Sequence, residues 1–319
     1  MLGFDRRTSA ELSFAIRHPL QFMWRLVHAC NIDFDKEFIL EKENQLVDGA
    51  LALPPPDRDL YKDEIAWLVK NRWDNPVRFP YCRVQDDMQT VSVGLDEELR
   101  LPYVIHCGQR VYFCRGTDVG DVERAYRNYV DIEGILGQGV LAKSPHAYVS
   151  SAFQPNSGDV IIDIGCSEGL FAINYAGTAS HIYLFEAEQR WQKPLEATFK
   201  PYMEKTTIVS KFVGNVSSGD CVKLSDSVSS SGNRSYFIKM DIEGSEVEVI
   251  SSSLDFLSNN KVKLSCCTYH RQSDAEILSK MLKDVGYRVS FSDGYMLTTM
   301  NGVRYPYFRH GVIFASNYD

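Results

Sequence analysis

The stretch Asp159-Val-Ile-Ile-Asp-Ile-Gly-Cys-Ser-Glu-Gly169 decides how the second half of this chain is interpreted. An apolar run ends at Asp163, Gly165 lets the chain turn, and Gly169 comes just before a segment of helical character. The pattern predicts a buried strand, a tight turn and a helix, and ligands of doubly wound sheets bind beyond the carboxyl ends of such strands. At Gly165 we expect the backbone to approach a ligand closely, since glycine adds no β-carbon.

The glycine spacing of this turn is Gly-x-x-x-Gly, which differs from the Gly-x-Gly-x-x-Gly of dinucleotide-binding turns. A pyrophosphate favours a glycine-rich helix N-terminus, whereas a methionine-like ammonium favours a carboxylate. Asp163 fits the second role. The alternative is that this segment is an ordinary strand, turn and helix, in which the glycine only eases the turn.

Carboxylates follow two later strand-like runs as well. Glu186 ends the run HIYLFE, about 20 residues beyond the first strand, where an acidic residue can accept both ribose hydroxyls of an adenosyl ligand. Asp241 and Glu243 follow the run YFIKM, and they could orient an acceptor hydroxyl, act as a base or hold Mg²⁺ through oxygen ligands. For Glu246 and Glu248 the alternative is surface charge at a helix N-terminus.

A histidine completes the set of candidate residues. His270 follows the strand-like run KVKLSCCTY, and an imidazole near neutral pKa at a strand end is suited to general base catalysis. The alternative is a partly buried histidine with a structural role.

Beyond residue 157 strand-like and helix-like segments alternate, which predicts an α/β fold with a Rossmann-like, doubly wound, mostly parallel sheet. The last two strand-like runs, 288–292 and 311–316, have no helix between them and predict an antiparallel hairpin at the sheet edge. We expect two domains. Residues 1–143 form a helical and small-sheet region for substrate contact, capping or dimerisation, and residues 144–319 form the ligand-binding domain.

The net charge, the cysteines and the length of the apolar runs argue against some classes of protein. The net charge of −8 argues against broad contact with a nucleic-acid backbone. The eight cysteines form no CxxC pair or zinc-like cluster, which favours free thiols in a reducing compartment. Since no run reaches about 18 apolar residues and no signal peptide is visible, we expect a cytoplasmic protein that is not an integral membrane protein.

Four segments together resemble the FkbM-type S-adenosylmethionine-dependent methyltransferases: VIIDIGCSEGLFA, YLFEAE, VKLSDSV and FIKMDIEGSEVEVI. The resemblance covers about residues 144–316 and implies O-methylation of a hydroxyl on a sugar, a glycan or a natural product. This chain departs from the family pattern at Cys166 and Ser167 in the turn. It also departs in the run SCCTY before His270, where a more acidic strand end is common.

By position, the resemblance implies two sets of site residues. The S-adenosylmethionine contacts would be Asp163, Gly165, Cys166, Gly169, Glu186, Ala187, Gly214, Asn215 and Asp241. The catalytic residues would be Asp241, His270 and Glu243, with no assigned metal ligands and Mg²⁺ as an option.

Three other functions stay open from the sequence. A NAD-dependent oxidoreductase shares the acidic strand end but has a third glycine in its turn. A nucleic-acid methyltransferase usually has a basic surface and a pocket for a flipped base. A non-catalytic protein on a methyltransferase fold is the third. The expected partners are therefore a small-molecule or glycan acceptor, no nucleic acid, and a second copy of the chain as an option.

Overall fold

The computed structural model describes residues 47–70, 90–137, 143–229, 234–297 and 307–318. The chain divides into two compact units, Met1–Val77 with Thr299–Pro306, and Arg78–Thr298 with Tyr307–Asp319. Part of the helical and small-sheet region expected over residues 1–143 lies outside the described residues. The domain boundary expected at residue 143 stays a prediction.

Two short helices make up most of the described part of the first unit: α1, Pro55–Leu60, and α2, Lys62–Lys70. The helical residues 47–51 end just before Pro54, as the proline run predicts. Pro55 and Pro56 then occupy the first turn of α1, where a missing backbone N–H costs nothing. None of the helices in the described ranges combines the length and the hydrophobicity that a membrane crossing requires.

The second unit begins with a small antiparallel sheet, as predicted. Its strands are β1, Val93–Asp96, β2, Leu101–His106, and β3, Gln109–Tyr112, in the order β1-β2-β3. Helix α3, Val119–Arg127, follows, with the Asp118 side chain accepting from the Gly120 N–H as an N-cap, and it continues as a π-helical turn over Asn128–Ile132.

The rest of the second unit alternates strands and helices. The strands are β4 Val160–Ile164, β5 His181–Phe185, β6 Thr206–Val209, β7 Phe212–Val213, β8 Cys221–Val222, β9 Ser235–Met240, β10 Lys261–Cys267, β11 Arg288–Phe291, β12 Met296–Leu297, β13 Phe308–Arg309 and β14 Val312–Ser316. The helices are α4 Leu170–Tyr175, α5 Gln192–Thr198, α6 Leu224–Ser227, α7 Glu246–Ser252, α8 Leu254–Asn259 and α9 Asp274–Asp284. Residues 246–259 form two helices, α7 and α8, because the chain leaves helical geometry at Ser253.

Seven of these strands form one sheet in the order β11-β14-β10-β9-β4-β5-β6. Strands β6, β5, β4, β9 and β10 are mutually parallel, while β14 runs antiparallel between β10 and β11. This confirms the doubly wound, mostly parallel sheet and the antiparallel pair at its edge. The later strand of that pair, β14, lies between β10 and the earlier strand, β11, which is at the edge.

The sheet order places a topological switch at β4. From β4 the chain winds outward through β5 and β6, then returns to β9 on the other side and winds outward again. All five residues of β4 are buried, because helices cover both faces of the sheet. The carboxyl ends of β4, β5 and β9 therefore meet at one edge, where doubly wound folds bind ligands.

Candidate active site

The turn after β4 is packed against backbone on both sides. Gly165 has φ +74°, and its N–H donates to the Phe185 carbonyl at 2.9 Å. A β-carbon on Gly165 would lie 2.0 Å from the carbonyl oxygen of Asp241. Gly165 therefore makes room for the end of β9 and fixes how the two strand ends meet, and its expected close approach to a ligand stays a prediction.

Gly169 has a packing role as well. Its φ is +78°, and a β-carbon there would lie 2.6 Å from the buried Phe199 ring and 3.0 Å from Leu195. The glycine lets the N-terminus of α4 pack closely against the Phe199 and Leu195 side chains. It lies outside both cavities described below, so its predicted contact with the cofactor stays a prediction.

Glu186 ties the ends of β4 and β5 together. One carboxylate oxygen accepts the Ser167 N–H at 3.0 Å, and the other accepts the Glu188 N–H at 2.9 Å. Since an ionised carboxylate has about four acceptor positions, two protein donors leave capacity for both hydroxyls of a ribose.

A cavity of about 470 Å³ opens beside Glu186 at the carboxyl ends of the strands. It brings together many of the predicted site residues: Gly165, Glu186, Ala187, Gly214, Asp241 and Glu243. Asn215 is exposed next to Gly214 but does not line the cavity. The volume lies in the range of small-molecule and cofactor sites.

A second cavity of about 320 Å³ adjoins the first. The two share Gly165, Ser167, Asp241 and Glu243, so they meet at the end of β9. Cys166 lines the second cavity, whereas the sequence predicted only that it belongs to the cofactor-binding turn. Further lining residues were not predicted from sequence: Tyr129, Glu133, His146, Tyr148, Glu168 and Tyr269.

Asp163 lies beneath the turn, with no exposed surface, and pairs with Lys239. The Lys239 amine is 3.1 Å from the Asp163 carboxylate and also donates to the Gly165 carbonyl at 2.6 Å. Burial raises the pKa of Asp163, and Lys239 opposes that rise. Asp163 and Lys239 also line the second cavity, and a direct contact between Asp163 and a methionine ammonium stays a prediction.

Asp241 lines both cavities and lies where they meet. Tyr148 donates its hydroxyl to Asp241 Oδ2 at 2.7 Å, and the Nε2 atoms of His146 and His270 lie 3.6 and 3.5 Å from the carboxylate. Burial alone would raise the pKa of Asp241, but His146, Lys239 and His270 lower it well below its usual value. Asp241 therefore stays a carboxylate at neutral pH.

Sequence reasoning missed the pair of Glu133 and His146. His146 Nδ1 lies 2.6 Å from Glu133 Oε2, and both side chains are nearly buried. Burial alone would lower the pKa of His146, whereas Asp241 and Glu133 raise it to about 9. The signal that could have found His146 is its spacing of two from Tyr148 in SPHAYV, which precedes β4 in the chain. We see no such signal for Glu133.

Glu168 is another buried acid that sequence reasoning passed over. It lines the second cavity while only 5% exposed, and burial raises the pKa of its carboxyl to about 7. At neutral pH this side chain is partly protonated, so it can donate as well as accept a hydrogen bond.

His270 lies near Oδ1 of Asp241, whereas His146 lies near Oδ2. Its Nδ1 lies 2.9 Å from Glu246 Oε1, and its Nε2 lies 3.6 Å from Glu243 Oε2. Burial lowers the pKa of His270, but Glu246 and Asp241 outweigh it and raise that pKa. Glu246 is fully buried and accepts the Ile242 N–H, so it is not the surface charge that was the alternative interpretation.

Two groups of side chains bring metal-ligating atoms close together among the described residues: His146, Asp241 and Cys267, and Asp241, Glu246 and His270. Each group contains a nitrogen donor, and one contains sulfur. Because Mg²⁺ prefers oxygen ligands in octahedral geometry, neither group favours the Mg²⁺ that was an option from the sequence.

Comparison with known families assigns the core of the second unit. Residues 106–289, more than half of the chain, match the model of the methyltransferase FkbM domain. The chain belongs to the FkbM methyltransferase family. The match includes β4, β5, β9 and β10, whose ends carry the candidate site, and it confirms the resemblance seen in the sequence.

Solved structures with the same fold are similar to this FkbM protein at low identity. The FkbM methyltransferase of Methylobacillus flagellatus KT is 20% identical with a TM-score of 0.43, over 54% of this chain and 47% of that one. A precorrin-6Y C5,15-methyltransferase of Geobacter metallireducens is 17% identical with a TM-score of 0.35, over 51% and 83%. SMU.1697c of Streptococcus mutans, solved in complex with SAH, is 10% identical with a TM-score of 0.32, over 50% and 90%.

The chain thus spans about half the length of the M. flagellatus FkbM methyltransferase. No curated protein matches it.

Proposed function

We propose that this FkbM-family protein is an S-adenosylmethionine-dependent methyltransferase that methylates a hydroxyl of a sugar, a glycan or a natural product. One observation carries the proposal. Two cavities meet at the ends of β4 and β9, with Glu186 bordering the first and the Asp241 carboxylate at their junction. Such an arrangement suits an adenosyl ligand in one cavity and an acceptor in the other.

The first cavity fits S-adenosylmethionine. The ribose would lie on Glu186, whose two oxygens keep acceptor capacity after binding the Ser167 and Glu188 N–H groups. The adenine would lie toward Val213 and Gly214, and the methionine end would lie over the turn at Gly165 and Cys166.

Bound S-adenosylmethionine supplies an already activated methyl group, so the protein mainly aligns the partners and assists loss of the acceptor's proton. Asp241 Oδ1 and His270 Nε2 lie 3.5 Å apart at the end of β9 and β10, and Glu243 lies beside them. We propose that these three residues meet the acceptor hydroxyl and assist its deprotonation. Asp163 would act at a distance, by holding Lys239 against the Gly165 carbonyl.

The second cavity supports a hydroxyl acceptor. Carboxylates of Glu133, Glu168 and Asp241 border it, and carboxylates accept hydrogen bonds from hydroxyl groups. Tyr129 and Tyr269 add aromatic surface. A sugar ring offers several hydroxyls and an apolar face, so it matches this lining. The cap or dimerisation role of residues 1–143 and the cytoplasmic location stay predictions.

The proposal predicts that the chain binds S-adenosylhomocysteine through Glu186. In isothermal titration calorimetry we expect Glu186→Ala to weaken binding about 100-fold, because two hydrogen bonds to a charged group are each worth about 1.5 kcal/mol. Glu196→Ala is the matched control, since it removes an exposed carboxylate on α5 that borders neither cavity.

Two results would contradict this function. The first is tighter binding of NAD⁺ than of S-adenosylhomocysteine. The second is equal affinity in the wild type and Glu186→Ala. A panel of hydroxyl acceptors offered with S-adenosylmethionine labelled in its methyl group would then test the acceptor class directly.

A further inference from the structure

Five carboxylates border the second cavity, and four of them have a basic side chain close by. The pairs are Asp163 with Lys239, Glu133 with His146, Asp241 with His146 and His270, and Glu243 with His270. Glu168 is the fifth. Among the described residues, no lysine, arginine or histidine lies within 4 Å of its carboxylate oxygens.

The Glu168 side chain is nevertheless only 5% exposed. The backbone N–H groups of Glu168 and Leu170 and the more distant Lys239 favour its charged form, but burial outweighs them and raises the pKa of its carboxyl to about 7. A buried charge without a cationic partner destabilises a fold. A cationic group of a ligand in the second cavity would supply that partner.

The turn after β4 places Glu168 beside the expected path of the cofactor. The Ser167 N–H donates at 3.0 Å to Glu186, which borders the first cavity, and the next residue, Glu168, borders the second. Ser167 has φ +47°, a left-handed conformation that is costly for a residue other than glycine and that recurs at ligand sites. One turn therefore presents a carboxylate contact to each cavity.

We propose that Glu168 binds the ammonium group at the methionine end of S-adenosylmethionine. The inference rests on the proposed function, in which the ribose lies on Glu186 and the methionine end lies over Gly165 and Cys166. Cys166 and Glu168 both line the second cavity. A charge-assisted hydrogen bond from the ammonium would give the Glu168 carboxylate the cation that the protein itself does not provide.

Asp163 is the competing carboxylate, since the sequence predicts that it holds this ammonium. It also lines the second cavity, but the Lys239 amine lies 3.1 Å from it. A second cation at the same carboxylate would be repelled by the lysine. With the ammonium on Glu168, Glu133 and Asp241 remain available to the hydroxyl groups of the acceptor.

The assignment predicts that the affinity for S-adenosylhomocysteine rises about tenfold from pH 6 to pH 8. The ligand's ammonium binds the ionised form of Glu168, which is the minor form below its pKa of about 7 and the major form above it. Glu168 itself and burial raise the pKa of Tyr129, and burial raises that of Cys166, so both stay neutral over this range. Lys239 stays charged, because Asp163 raises its pKa although burial lowers it.

The test is isothermal titration calorimetry of the full chain with S-adenosylhomocysteine and with an analogue in which hydrogen replaces the amino group. At pH 8 we expect the wild type to bind S-adenosylhomocysteine about 10- to 100-fold more tightly than the analogue, as for a hydrogen bond between charged groups. Glu168→Gln should bind both compounds with similar affinity and lose the pH dependence. Glu196→Gln is the matched control, since this exposed carboxylate borders neither cavity.

A third ligand, 5′-methylthioadenosine, separates the possible failures because it lacks the amino-acid portion. It should bind Glu168→Gln as tightly as the wild type, and a large loss there would assign Glu168 a structural role and overturn the inference. Glu168→Gln that keeps the preference for the amino group, or the pH dependence, overturns it as well. Failure of the wild type to bind any of the three ligands counts against the proposed function and removes this inference with it.

Discussion

Replacing Lys239 by methionine is expected to lower the free energy of unfolding by about 3–5 kcal/mol, because it leaves the Asp163 charge buried without a partner. The Lys239 amine is 3.1 Å from the Asp163 carboxylate, whose side chain has no exposed surface. The same amine donates to the Gly165 carbonyl, so the turn after β4 loses a hydrogen bond as well. Urea unfolding followed by circular dichroism measures the change.

The double variant Asp163→Asn with Lys239→Met should recover much of this loss, since no unpaired charge then remains in the interior. Lys261→Met is the control, because Lys261 is exposed on the adjacent strand β10 and its replacement should change stability by at most about 0.5 kcal/mol. A loss of similar size in the single and double variants would show that the ion pair is not the cause.

Gly165→Ala is expected to destabilise the protein by about 2–5 kcal/mol and to weaken S-adenosylhomocysteine binding as well. The estimate combines the cost of a left-handed residue with that of overpacking. The new β-carbon would lie 2.0 Å from the Asp241 carbonyl oxygen, so the ends of β4 and β9 must separate. That separation would displace Ser167 from Glu186 and Asp241 from the junction of the cavities.

Gly177→Ala provides the comparison, because nothing lies within 4 Å of a β-carbon at that position. We expect it to be close to neutral in both stability and ligand binding. Thermal unfolding and calorimetry report the two effects separately. Wild-type behaviour of Gly165→Ala would mean that the strand ends are not packed as described.

Local patterns predicted most of the larger sheet. The buried run VIIDI became β4, and the runs ending at Glu186 and Asp241 became the parallel strands on either side of it. Because parallel strands end at one edge, their terminal carboxylates meet there, and this follows from sequence order alone. Family membership confirmed the resemblance, while the individual roles of the site residues stay predictions.

Contacts between distant segments could not be predicted in this way. Glu133 follows α3 and its π-helical turn, yet it pairs with His146, and His146 contacts Asp241 nearly 100 residues later. Asp163 pairs with Lys239, two residues before Asp241, and the sequence did not predict this ion pair. Such pairings depend on three-dimensional packing, whereas periodicity and spacing describe one strand or helix at a time.

A crystal structure of the chain with S-adenosylhomocysteine tests the central claim most directly. The account predicts ribose hydroxyls on the Glu186 carboxylate, adenine beside Val213 and Gly214, and the sulfur atom pointing toward the junction at Asp241. Ligand bound away from the ends of β4, β5 and β9, or a ribose that does not contact Glu186, would contradict it.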